Sequence, residues 1–269
     1  MQDTALRAPG TRSTPHISVT GLTISFGSFV LMRDVDFTVE RGDVFLIMGG
    51  SGCGKSTLLK ALTGLITPAA GSICYAGQDF TRAAPDERAA IMRRVGILYQ
   101  GGALWSSMTL AENVAMPLEQ YTTLSPAEIR ELAELKLALV GLAGFEDFSP
   151  SEISGGMRKR AGLARALALD PEIVFFDEPS AGLDPISAKM LDDLIQEIRE
   201  SLGTTIVVVT HELASIFAIG TNGIFLDIDS RTAVAHGSPS EMLGAGDPKV
   251  VRFLTRDGSD TCGGSKEQP

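Results

Sequence analysis

Residues 44–57 read Val-Phe-Leu-Ile-Met-Gly-Gly-Ser-Gly-Cys-Gly-Lys-Ser-Thr, and no other stretch constrains the fold as tightly. The apolar run Val44–Met48 has the composition of a strand buried on both faces, and Thr57–Leu65 reads as an apolar helix. Between them Gly49, Gly50, Ser51, Gly52, Cys53, Gly54, Lys55, Ser56 and Thr57 form a glycine-rich loop with a strand before it and a helix after it. That is the setting a phosphate-binding loop requires. Glycines let backbone N–H groups turn towards a polyphosphate, and the start of the following helix adds a partial positive charge. In such a loop Lys55 bridges the β- and γ-phosphates, and Ser56 offers a hydroxyl to Mg²⁺.

Working outward, Ile173–Phe176 and Ile206–Val209 are further apolar runs without alternation, as expected when helices cover both faces of a parallel sheet. Helical patterns lie between them. Asp184 caps one, Pro185 occupies its first turn, Gly203 ends it, and Ile186, Met190, Leu194, Ile195, Ile198 and Leu202 recur at three- and four-residue steps. Strands alternating with helices predict an α/β domain built on a parallel sheet. The stretch Leu110–Ala168 carries helix signals and no strand, including a capping box of Ser125 and Glu128 that opens a helix running towards Val140. It predicts a helical subdomain, about residues 103–170, inserted in the α/β core. Ile17–Ser25 and Asp34–Glu40 alternate and read as antiparallel strands with one exposed face. Residues 1–15 read as a flexible leader, 16–256 as the folded domain and 257–269 as a flexible polar tail.

Composition excludes several function classes. The chain has 269 residues, is 44% hydrophobic and carries a net charge of −10. Such an acidic balance argues against a nucleic-acid binder that tracks a phosphate backbone. No apolar run reaches the roughly 18 residues of a membrane span, and the first residues lack the apolar core of a secretory signal. Cys53, Cys74 and Cys262 have neither disulfide nor zinc spacing. The expectation is a cytoplasmic protein.

Two more motifs carry chemistry. Ile173-Val174-Phe175-Phe176-Asp177-Glu178 is an apolar strand ending in two carboxylates. After a phosphate loop, Asp177 is placed to hold Mg²⁺ through water, and Glu178 to orient and deprotonate a water aimed at a γ-phosphate. Ser154-Gly155-Gly156-Met157 precedes the helical pattern Arg158–Leu169. The order of phosphate loop, Ser-Gly-Gly segment and carboxylate strand resembles the ATP-binding-cassette (ABC) family, from about Ile17 to Leu254. The family signature is usually Leu-Ser-Gly-Gly-Gln; here Ile153 stands first and Met157 last.

The resemblance implies a P-loop NTPase with a RecA-like parallel-sheet core, an antiparallel β subdomain and a helical signature subdomain. It implies ATP and Mg²⁺ as the bound pair, and ATP hydrolysis coupled to transport. Phe26 looks like the aromatic that stacks on adenine, Gln100 like the glutamine that contacts Mg²⁺ and the attacking water, and His211 like the histidine that touches the γ-phosphate. Ser180-Ala181-Gly182-Leu183-Asp184 resembles the loop that crosses between subunits. It further implies a homodimer with two composite sites, in which Ser154, Gly155 and Gly156 of one copy face the nucleotide held by the other.

Integral-membrane permease subunits would dock on the apolar segment 101–110, where Trp105 is either a docking residue or buried in its own subdomain. Gln100-Gly101-Gly102-Ala103-Leu104-Trp105, then Glu112–Leu118, Met157, Asp184-Pro185-Ile186 and His236-Gly237-Ser238 are similar to ATPases of Mla/MCE-type phospholipid transporters. That resemblance adds an MCE-domain lipid-binding protein and a small STAS-domain protein as partners, at the inner face of the cytoplasmic membrane. Asp247–Leu254 serves such a partner, embraces the second subunit, or packs on its own domain. The runner-up reading is a cassette for lipoprotein release or small-solute import, followed by a soluble ABC ATPase in iron–sulfur assembly.

Overall fold

The computed structural model describes residues 14–255. The expected tail lies outside the described residues, as does the expected leader except for its last two positions. In chain order the first elements are β1 (Ile17–Phe26), β2 (Phe29–Val39), β3 (Val44–Gly49), α1 (Lys55–Leu62), β4 (Ala70–Tyr75) and β5 (Gln78–Asp79). They are followed by α2 (Pro85–Met92), β6 (Val95–Leu98), α3 (Leu110–Tyr121), α4 (Pro126–Leu139), α5 (Gly155–Ala166) and β7 (Ile173–Asp177). The chain then runs through α6 (Pro185–Leu202), β8 (Thr205–Val209), α7 (Leu213–Ile219), β9 (Asn222–Asp227), β10 (Thr232–His236), α8 (Pro239–Ala245) and α9 (Pro248–Thr255).

A six-stranded sheet in the order β10-β9-β3-β8-β7-β6 forms the centre. Its strands pair in parallel from β9 to β6, and β10 adds antiparallel at the edge. Successive side chains of these strands enter two different cores. Val44, Leu46, Met48, Val174, Phe176, Ile206 and Val208 face the helical subdomain and α6, whereas Phe45, Ile47, Ile173, Phe175, Val207 and Val209 face α1 and the second sheet. Burial on both faces is why the runs lack alternation. Truncating a phenylalanine buried like Phe175 to alanine costs roughly 3–5 kcal/mol. The second sheet, ordered β2-β1-β4-β5, is antiparallel, and β1 alternates buried with partly exposed positions.

Between β6 and β7 the chain forms α3, α4 and α5. Ser125 Oγ accepts from the Glu128 N–H, and the Glu128 carboxylate accepts from the Ser125 N–H at 2.7 Å, opening α4. Thr109 and Glu112 close a second box at the start of α3. At α6, Asp184 Oδ1 accepts from the N–H groups of Ile186 and Ser187, and Gly203 ends the helix at φ 66°.

Several boundaries differ from expectation. The helix expected over Thr57–Leu65 is α1, starting two residues earlier. The strand expected over Asp34–Glu40 is the second half of β2, which begins at Phe29. The pattern Arg158–Leu169 is α5, and Gly155 and Gly156 lie inside its first turn rather than ahead of it. Two glycines lower intrinsic helix propensity by about 1 kcal/mol each, which masked that start in the sequence.

Candidate nucleotide site

A cavity of about 740 Å³ opens where β3, β7 and β8 end. Gly49, Gly50, Ser51, Gly52, Gly54, Lys55, Ser56 and Thr57 form one wall, with Gln100, Glu178 and His211 opposite. The loop needs its glycines. Gly49 sits at φ 144°, where a Cβ would collide with the Leu226 carbonyl, and Gly54 sits at φ 99° as the residue capping α1. Gly54 has no side chain to occupy the first N–H groups of α1, which suits a helix start that receives an anion. Cys53 differs from its neighbours in the loop. It is 4% exposed and does not line the cavity, and burial pushes its thiol pKa up. That favours the unreactive small residue over a reactive thiol.

Lys55 is buried, and its Nζ donates to the carbonyls of Gly49 and Gly50 at 2.9 and 3.0 Å. These bonds hold the ammonium over the loop. Ser56 Oγ donates to Asp177 Oδ1 at 2.8 Å, tying the start of α1 to the end of β7. A hydroxyl, a carboxylate beside it and the Gln100 amide are hard oxygen donors, which fit Mg²⁺. Glu178 follows with φ 51°, a left-handed conformation uncommon for a non-glycine residue, and its side chain is only 12% exposed. His211 Nδ1 approaches Glu178 Oε2 to 2.8 Å, but out of line for a hydrogen bond, and Oε2 has no hydrogen-bond partner among the described residues. Glu178 thus lines the cavity as a residue while its Oε2 is covered, with the His211 ring against it.

Comparison with known proteins shows the family. The ABC transporter family model matches residues 32–181, more than half of the chain. The chain belongs to the ABC transporter family. Among curated relatives of this ABC chain, the intermembrane phospholipid transport system ATP-binding protein MlaF of Haemophilus influenzae is 39% identical over 88% of the chain and 89% of its own length. The Escherichia coli K12 protein of that name is 37% identical over 88% of each chain. The probable ribonucleotide transport ATP-binding protein mkl of Mycobacterium tuberculosis H37Rv is 44% identical over 94% of the chain and 70% of its own length. A dimeric ATP-binding cassette in a post-hydrolysis state with ADP and Pi superposes with TM-score 0.74 at 29% identity, covering 82% of this chain and 98% of that one.

The remaining ABC motif residues lie apart from the cavity. Ser154 and Gly155 are exposed at the start of α5, where Ser154 Oγ accepts from the Met157 N–H. They and Gly156 do not line the cavity; Ser154 and Gly156 instead border a small cleft with Leu183 and Ser187. Asp184 is exposed, and its hydrogen bonds to Ser187 hold its carboxyl below the usual range while it caps α6. Phe26 is 55% exposed at the end of β1 and also lies off the cavity lining.

Leu31, Leu213 and Phe253 line the cavity without having been expected there. Phe253 comes from α9, in which Val250 and Leu254 are buried, Phe253 packs on Phe225, and Lys249 bonds Asp227 at 2.8 Å. The helix packs on its own domain.

Proposed function

We propose that this ABC chain is the ATP-hydrolysing subunit of a membrane transporter of the Mla/MCE phospholipid type, working as a homodimer on the cytoplasmic face of the membrane. The observation that carries the substrate reading is the end-to-end likeness to MlaF, 39% identical over nearly nine-tenths of both chains. The mkl relative favours a second reading, ribonucleotide cargo, on its name alone, and the chain spans 70% of that protein's length.

In this reading Lys55 exchanges the Gly49 and Gly50 carbonyls for the β- and γ-phosphates of ATP, and the α1 N–H groups take the phosphate oxygens. Ser56, with Asp177 and Gln100 beside it, would hold Mg²⁺, which neutralises developing phosphate charge when bound. The Glu178 carboxylate accepts the proton of the attacking water, and His211 faces the γ-phosphate. The α5 N-terminus is exposed and off the cavity, so Ser154, Gly155 and Gly156 reach a nucleotide only when a second copy presents one. ATP bridging two copies favours the closed dimer, and hydrolysis releases it. Phe26 stacks on adenine, and Asp184 lies at the crossing between copies.

Among the described residues no helix is long and apolar enough to cross a membrane, so separate permease subunits supply the pathway. A groove of about 460 Å³ between the core and the helical insertion receives them, its walls including Met92, Met116, Pro117, Tyr121 and Leu169. Trp105, two residues beyond the groove-lining Ala103, is 57% exposed, its backbone pinned by the buried Asn113. That supports docking over burial. The test is purification of the chain from native membranes in mild detergent. Co-purifying permease and MCE-domain proteins with bound phospholipid support the reading; bound ribonucleotide cargo, or only soluble partners, contradict it.

A further inference from the structure

We propose that Lys159 is the positioning residue that fixes the aim of the Glu178 carboxylate, by clamping the backbone just after it to the signature helix α5. The inference rests on the ATPase reading above and deepens it.

Lys159 stands in the second turn of α5 and is 7% exposed, although a lysine on a helix ordinarily reaches water. Its Nζ donates to the Pro179 carbonyl at 2.7 Å and to the Ala181 carbonyl at 2.5 Å. These two acceptors flank Ser180 and begin one residue after Glu178. The loop has two turn bonds of its own, from the Ala181 N–H to the Glu178 carbonyl and from the Leu183 N–H to the Ser180 carbonyl, and Lys159 adds a hold from outside. Glu178 occupies left-handed backbone space, its N–H is bonded to the Val209 carbonyl, and its Oε2 has no hydrogen bond among the described residues, with His211 Nδ1 2.8 Å away. The neighbouring Ser180 Oγ is buried and likewise without a partner among the described residues, so it adds no tether.

The His211 ring stands against the carboxylate without a hydrogen bond, so the carboxylate's direction also depends on the backbone at 178–181, which the ammonium grips from the α5 side. Burial lowers the Lys159 pKa, and the negative charge of Glu178 opposes that shift. Fixed alignment matters because a reacting group displaced by about 1 Å can cost 100-fold in rate.

The experiment uses the full chain, with ATP hydrolysis measured across ATP concentration and normalised to folded protein. Lys159→Met keeps length and removes both donors and charge. Its kcat should fall about 10- to 100-fold, with KM changed less than about threefold, since the phosphate loop is untouched. Lys159→Arg, which keeps charge and donors, should recover most of kcat; a merely structural role predicts no such split and no such rescue. Should the methionine variant not fold, Lys159→Gln takes its place with the same expectation at smaller amplitude. Wild-type kcat in Lys159→Met or Lys159→Gln, or a loss confined to KM, would overturn the assignment. A wild-type chain that does not hydrolyse ATP would instead overturn the ATPase reading itself.

Discussion

Replacing Lys55 by methionine takes one positive charge out of the cavity wall and leaves a side chain of similar length. In the wild-type chain the ammonium is occupied by the Gly49 and Gly50 carbonyls at 2.9 and 3.0 Å. Meeting a phosphate at about 4 Å gains about 4 kcal/mol at an effective dielectric of 20. Giving up two carbonyl hydrogen bonds costs about 1 kcal/mol each. The difference, about 2 kcal/mol, corresponds to about a 30-fold weaker Kd for ATP in the variant. Isothermal titration with a non-hydrolysable ATP analogue reads this directly, and the gap between the two proteins should narrow as salt screens the charge. The ligand-free variant should also be slightly less stable in urea, because two loop carbonyls lose their donor. A Kd within threefold of wild type would refute the reasoning, since the ammonium would then contribute no net attraction.

Gly155→Asp places a carboxylate on the exposed first turn of α5, so the chain should fold and bind ATP as monomer while its hydrolysis falls at least about 100-fold. Sedimentation and phosphate release check the two halves. Lys249→Met removes the hydrogen-bonded cation that holds the Asp227 carboxyl down to about 2 from 3.8. A depressed carboxylate pKa stabilises the fold above its unfolded value and ceases to do so as pH falls through the folded one. The variant should thus melt below wild type at pH 7, with the difference shrinking between pH 4 and pH 2; a pH-independent difference would contradict the ion pair. Trp105→Ala should leave ATP hydrolysis by the isolated chain unchanged and weaken permease co-purification.

Much of the molecule was legible because chemistry and position coincide in short segments. The phosphate loop, the Asp177-Glu178 strand end and the Asp184 cap each pair a special residue type with the element boundary that needs it. What escaped was written across distance. β4 begins Ala70-Gly71-Ser72, which reads as turn, and β9 has an apolar centre of only Ile224, Phe225 and Leu226; both are strands because β1 and β3 pair with them. Phe253 enters the cavity through packing of α9, which a local pattern does not encode. No local signal marks Lys159, and only the fold of 179–181 against α5 makes it a buried donor. Gly155 and Gly156 hid the helix they begin.

The central claim is that two copies clasp ATP, each completing the other's site, and a Glu178→Gln chain tests it best. This variant keeps the cavity and removes the proton acceptor, so bound ATP should persist. Sedimentation equilibrium with Mg²⁺ and saturating ATP should give twice the 28.4 kDa chain mass with one ATP per chain, reverting to the single mass without nucleotide. A chain that binds ATP yet stays at the single mass at every concentration would contradict the account.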